Sequence, residues 1–289
     1  EFIVGKSDEK IENDDELILS SRNIIVAEIP SSIKRICSYS FSECKRLKSV
    51  RFSRDSKLQI IDKYAFASSS LERINIPRQV IEIADYAFYL CLQLSSINFN
   101  DESELVKIQK FAFSSTSLKT IFVPNKVEYI GESAFADCSK LSTIIFPDVC
   151  NLHSIEKRTF ALSTLESIFV PSSVEFISEF AFYKCTNLKS VHFTDDSKLT
   201  FIDQSSFSFS SVEKITIPSK VNHIGVGAFS HCTKLMSVTF SDNSELKLID
   251  KEVFYSSSID KILIPSHVTC ISKRSFSDCK NLKSVAFSE

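Results

Sequence analysis

Tryptophan is missing from this chain and glycine nearly so: 289 residues hold no Trp, one Met and four Gly. Glycine-rich phosphate loops need close backbone approach, so four glycines argue against a nucleotide-binding enzyme. Neither sign of charge dominates, with 34 Lys and Arg against 36 Asp and Glu. That balance excludes the basic stripe of a nucleic-acid binder and the acidic tail of a protein that captures cations. No apolar run reaches the roughly 18 residues of a membrane helix, so direct membrane insertion is not expected. G-x-S-x-G, Walker A, G-x-G-x-x-G, C-x-x-C and D-x-D-x-D-G are all absent, and no N-x-S/T sequon occurs. The opening EFIVGKSDEK does not read as a secretory leader; Glu1-Phe2 fits a cloning remnant, and the start fits equally a chain that begins after a removed signal.

What is present is regular. Of seven prolines, six stand at Pro30, Pro77, Pro124, Pro171, Pro218 and Pro265, each 47 residues after the last. A fixed period of 20–50 residues signals a solenoid or array. Other residues keep the same clock: Phe41, Phe88, Phe135, Phe182, Phe229 and Phe276, then Cys44, Cys91, Cys138, Cys185, Cys232 and Cys279 three positions later. The second half of each period is a variant. Its phenylalanines are Phe66, Phe113, Phe160, Phe207 and Phe254, and a small hydroxyl residue replaces Cys at Ser69, Thr116, Ser163, Ser210 and Ser257. The unit is therefore about 23–24 residues in two alternating flavours.

Leu-x-x-Ile-x-Ile, as at Leu71, Ile74 and Ile76, alternates like a strand with one buried face. Proline at the next position cannot donate to a ladder and ends it. Phe, Cys and Leu at i, i+3 and i+6 predict one apolar stripe on a short helical or 3₁₀ turn. One unit cannot bury its apolar face alone, so units stack with their strands in a parallel sheet.

This pattern resembles the BspA-like class of leucine-rich repeat. It stands as LERINIPRQVIEIADYAFYLC from Leu71 to Cys91, LKTIFVPNKVEYIGESAFADC from Leu118 to Cys138 and LESIFVPSSVEFISEFAFYKC from Leu165 to Cys185. The resemblance implies an α/β repeat solenoid with a parallel β-sheet on the concave face and short helical or 3₁₀ turns on the convex face. It also implies a surface protein of an anaerobic bacterium or parasitic protozoan, adhering to host-cell or matrix proteins. Residues 1–29, with Asp14, Asp15 and Glu16, read as an N-terminal cap or degenerate repeat, and residues 30–289 as the solenoid. Phe287-Ser288-Glu289 stops directly after a strand, which suggests a fragment of a longer, anchored protein or an edge available for self-association.

Chemistry-bearing residues do not converge. His153, His192, His223, His231 and His267 fall at five phases of the repeat, and no zinc or Ser-His-Asp set can be assembled from them. Neither an enzyme, a metal site nor a cofactor is expected. Nine cysteines leave at least one thiol unpaired in a monomer. Equivalent Cys residues two coils apart lie beyond disulfide reach, so they read as buried apolar groups, while Cys37, Cys150 and Cys270 are out of register. Asp55, Asp101-Glu102, Asp195-Asp196 and Asp242 read as turns leaving the strand.

Side chains alternate along a strand, so the residue between the two aliphatics faces outward. In stacking order these are Arg51, Asn75, Asn98, Phe122, Ile145, Phe169, His192, Thr216, Thr239, Leu263 and Ala286. Phe122, Ile145 and Phe169 are large and apolar, with Thr120, Thr143 and Ser167 two residues earlier and His192 at the rim. Such a patch points to a protein partner and offers a surface for self-association. The leading expectation is a cell-surface or secreted adhesion protein. The competing one is a cytoplasmic scaffold or regulator using the same face, favoured by reduced thiols and missing sequons.

Overall fold

The computed structural model describes residues 2–6 and 15–288. The chain forms two compact units, residues 1–151 and 152–289. Asp14 and Glu289, invoked above for the cap and for the final edge, lie outside the described residues.

Each coil contributes two short strands. In the first unit, Val26–Ile29, Ser49–Phe52, Arg73–Ile76 and Ser96–Phe99 form one parallel sheet, and Thr120–Phe122 pairs in parallel with Thr143–Ile145. In the second unit, Ser167–Phe169, Ser190–His192, Lys214–Ile217 and Ser237–Phe240 form the corresponding sheet, and Lys261–Ile264 pairs with Ser284–Phe287. Burial alternates as the pattern requires. Ile74 and Ile76 point inward while Arg73 and Asn75 face solvent.

The second strand of each coil is two residues long and comes from an aliphatic-x-x-Ile stretch, with Val or Leu alternating at its start after Ile33. Arg35–Ile36, Ile60–Ile61, Glu82–Ile83, Lys107–Ile108 and Tyr129–Ile130 pair in parallel in the first unit. Ser154–Ile155, Phe176–Ile177, Phe201–Ile202, His223–Ile224, Leu248–Ile249 and Cys270–Ile271 do so in the second. The first unit opens differently: Phe2–Gly5 runs antiparallel to Glu16–Ser20. The Phe2 ring stands edge-on to Phe41, 6.1 Å between centroids.

The expected helical or 3₁₀ turns are not there. Among the described residues no helix forms, and the architecture is all-β. The return segment is a run of tight turns in which N–H groups alternate between two destinations. Ala65, Ala67 and Ser69 donate three residues back, to Asp62, Tyr64 and Phe66. Tyr64, Phe66 and Ser68 donate to Asp85, Ala87 and Tyr89 of the next coil, at 3.1, 2.8 and 2.8 Å. A helix would keep all of these donors within its own segment; here half of them bind coil to coil. The turn is made by two left-handed residues four positions apart in each coil, such as Tyr64 (φ 55°) and Ser68 (φ 56°), and Tyr86 (φ 57°) and Leu90 (φ 56°). Only Gly227 among these positions is a glycine.

Buried phenylalanines fill the interior as a stacked column. In the first unit Phe41, Phe66, Phe88, Phe113 and Phe135 follow at 4.9, 5.1, 5.1 and 5.4 Å. In the second, Phe160, Phe182, Phe207, Phe229 and Phe254, with the half-buried Phe276 after them, follow at 5.0–5.8 Å. The spacing is close to the strand separation of a sheet, about 4.8 Å, so every coil offers its ring to the next in an offset stack.

The alternation of Cys with a hydroxyl residue has a local cause. Each ladder thiol from Cys91 onward lies within 3.5 Å of the Ser or Thr hydroxyl one coil earlier: Ser69–Cys91, Thr116–Cys138, Ser163–Cys185, Ser210–Cys232 and Ser257–Cys279. The thiols also donate to the carbonyls of Phe66, Phe113, Phe160, Phe207 and Phe254, at 3.0–3.2 Å. Burial pushes Cys91, Cys138 and Cys232 up to about 11 and Cys185 to about 12. These are unreactive thiols at neutral pH.

Candidate functional site

The repeat fixes the inward residues and leaves the outward ones free. In the first unit the outward column begins with a Glu28–Arg51 ion pair at 3.1 Å. Asn98 then donates its side-chain amide to Asn75 at 2.9 Å. The column turns apolar at Phe122, which lies in register with Ile145 across the parallel pair, above Thr120 and Thr143. Phe122 is 64% exposed and Ile145 43%.

In the second unit Phe169 is in register with His192, and Ser167 with Ser190. The Phe169 and His192 rings stack at 4.5 Å and 18°, and His192 Nε2 lies 3.1 Å from Ser190 Oγ. Phe169 is 69% exposed. Beyond it the column becomes polar, with Thr216 and Thr239 hydroxyls 2.9 Å apart. The seven nominated residues thus divide into two clusters, Thr120, Phe122, Thr143 and Ile145 on one unit and Ser167, Phe169 and His192 on the other.

Two further columns escaped the sequence reading. On four successive two-residue strands of the second unit, the residue before the buried isoleucine carries an apolar or aromatic side chain: Phe176, Phe201, His223 and Leu248. Phe201 meets His223 edge-on at 4.5 Å, and His223 Nε2 lies 3.4 Å from Asp250. On the turns of the first unit, Tyr39, Tyr64, Tyr86 and Phe111 stack at 5.0, 4.7 and 4.9 Å. Both columns sit at fixed phases of the 47-residue period and were visible in the sequence as aromatic recurrences.

The acidic positions behave as turns. Ser53 and Ser31 hydroxyls hold the Asp55 carboxyl below its usual range, and Thr194 does the same for Asp196 with Ser172. Among the described residues no three His, Cys, Asp or Glu side chains are grouped to hold a metal ion.

A family model described as "BspA type Leucine rich repeat region" matches residues 15–124, 106–226 and 200–289 in six copies. The chain belongs to the BspA-type leucine-rich repeat family. A leucine-rich repeat protein from Bacteroides ovatus is similar over 99% of this chain and 92% of its own, at 22% identity and TM-score 0.68. The pneumococcal vaccine antigen PcpA covers 95% of this chain and 75% of its own, at 20% identity and TM-score 0.56. A leucine-rich cell surface protein from Faecalibacterium prausnitzii covers 100% and 93%, at 21% identity and TM-score 0.50. At these identities the likeness establishes the BspA-type solenoid fold. No curated protein matches the chain. Leucine-rich repeats of this family are generally protein-interaction modules, and no catalytic family is among the matches. No helix among the described residues is long and apolar enough to cross a membrane.

Proposed function

We propose that this BspA-type chain is a non-enzymatic protein-binding module acting at the cell surface or in secreted form, and that it adheres to host-cell or matrix proteins through the outward face of its sheet. The observation that carries the reading is the pair of exposed apolar clusters, Phe122 with Ile145 and Phe169 with His192. Large apolar side chains on a strand face that the fold does not require are what binding selects. Thr120, Thr143 and Ser167 supply hydroxyls beside them. His192, stacked on Phe169 and within reach of the Ser190 hydroxyl, adds a hydrogen-bonding ring to the second cluster. We read residues 1–29 as an N-terminal cap or a degenerate repeat, and the apolar clusters are also where a second copy would associate.

Two experiments test this. Antibody labelling of intact, unpermeabilised source cells is expected to be positive; labelling only after permeabilisation would remove the adhesion role and leave an intracellular scaffold. The double change Phe122→Ser and Phe169→Ser is expected to abolish binding to a verified protein partner while leaving the unfolding midpoint unchanged. Survival of binding would remove the outward face from the account.

A further inference from the structure

The outward face of the second unit carries a groove whose counterpart in the first unit is closed by ion pairs. We propose that this groove, between residues 241–244 and 265–267, is a binding site for a neutral glycan segment. The inference is independent of the protein-binding role.

In the first unit, salt bridges tie the acidic loop at residues 100–104 to its flanking proline turns. Arg78 pairs with Glu102, and Lys126 with Glu104, each at 2.5 Å. Three periods later the same four positions are Ser219, Asn243, His267 and Glu245. Both clamps are gone by sequence, and among the described residues no ion pair joins His267 to Glu245. The loop tip has also changed conformation. Asn243 is left-handed, at φ 56°, the one such residue among the described residues outside the paired positions of the return turns. Its counterparts Asp55 and Asp196 are instead fastened to hydroxyls of their own loop and of the preceding coil.

The result is a cavity of about 670 Å³, within the range of small-ligand sites. It lies where the sheet is interrupted, between Ser237–Phe240 and Lys261–Ile264. Leu263, 57% exposed, and Ala286 give it an apolar floor. Asp242, Asn243, His267 and Thr239 stand around that floor as donors and acceptors. Lys261 also lines it, so one cationic and one anionic side chain border the cavity. An apolar base within a ring of uncharged or balanced hydrogen-bonding groups suits the alternating C–H and O–H faces of a sugar. A phosphate or sulfate would need the cationic clamp that this unit has lost.

The test is an array of neutral, sialylated and sulfated glycans probed with the full chain, with hits measured by saturation-transfer NMR. Neutral glycans are expected to bind. The triple change Ser219→Arg, Asn243→Glu and His267→Lys, which restores the first unit's clamps, is expected to weaken them more than tenfold. Asp242→Asn, which leaves the volume unchanged, is expected to weaken them severalfold, with circular dichroism confirming the fold. Phe122→Ser with Phe169→Ser is expected to leave glycan binding intact, which separates this site from the protein-binding face. No binding by any neutral glycan, binding by charged glycans alone, or full binding by the triple variant would each overturn the proposal.

Discussion

The two units share an interior and differ on their surfaces. Both stack phenylalanines at one ring per coil, and both pair each ladder thiol with a hydroxyl of the coil before. Outside, the first unit spends charge and aromatic stacking on itself, through Glu28–Arg51, Arg78–Glu102, Lys126–Glu104 and the Tyr39–Tyr64–Tyr86–Phe111 column. In the second unit the positions of Glu28 and Arg51 are taken by the stacked Phe169–His192 pair, and those of Arg78, Glu102 and Lys126 by Ser219, Asn243 and His267 beside the groove. The 47-residue period therefore dictates packing, and departures from it at outward positions carry individuality.

The largest expected effect tests the sameness of the interiors. Phe88→Ala and Phe207→Ala each remove one ring from the column and leave a cavity. Each is expected to cost about 3–5 kcal/mol, measured by urea unfolding. A cost confined to one of the two variants would break the equivalence of the units.

The buried thiols give the next. Burial raises the thiols of Cys91, Cys138 and Cys232 from 9.0 to about 11, and that of Cys185 to about 12. In the unfolded chain they ionise near pH 9, so above that pH the folded state binds more protons than the unfolded one. Their stabilisation is complete below pH 9 and falls as pH rises toward 11, by about 1.4 kcal/mol per pH unit per thiol. Alkaline unfolding is expected between pH 9 and 11, and Cys138→Ala and Cys185→Ala are expected to flatten the slope equally. In the folded protein at pH 8, Ellman's reagent is expected to modify exposed Cys270 rapidly and the ladder thiols only on denaturation.

Left-handed residues supply a smaller, opposite effect. Ser115 (φ 59°) in the first unit and Ser256 (φ 59°) in the second pay a steric cost that glycine avoids. Ser115→Gly and Ser256→Gly are each expected to stabilise by about 0.5–1 kcal/mol, read from urea midpoints. Destabilisation by either would contradict the description of the turn. The smallest effect is at the surface: Arg51→Ala, which breaks the exposed pair with Glu28, is expected to cost about 0.5 kcal/mol or less.

How far the sequence could be read follows the same division. The proline clock and Leu-x-x-Ile-x-Ile gave the coil, the parallel strands and the exposure of Arg51, Asn75, Phe122 and Phe169, because strand alternation leaves one choice of face. The return segment misled, because apolar residues at i, i+3 and i+6 suit consecutive three-residue turns as well as a helix. Glycine would have marked the left-handed positions, but residues such as Tyr64, Leu90 and Lys184 hold them instead. The donors from Tyr64, Phe66 and Ser68 to the next coil, which keep the segment from becoming helical, leave no trace in one coil's sequence. The thiol–hydroxyl alternation was legible as a pattern, though its cause needed the registration of adjacent coils. The groove was legible only by setting Arg78, Glu102, Glu104 and Lys126 against Ser219, Asn243, Glu245 and His267.

The most direct test of the central claim is surface plasmon resonance between the full chain and a panel of purified extracellular-matrix and host-cell surface proteins. The wild type is compared with Phe122→Ser/Phe169→Ser and with Arg51→Ser. The account predicts a partner whose binding is lost in the double variant and retained in Arg51→Ser. Equal binding by all three chains would contradict it.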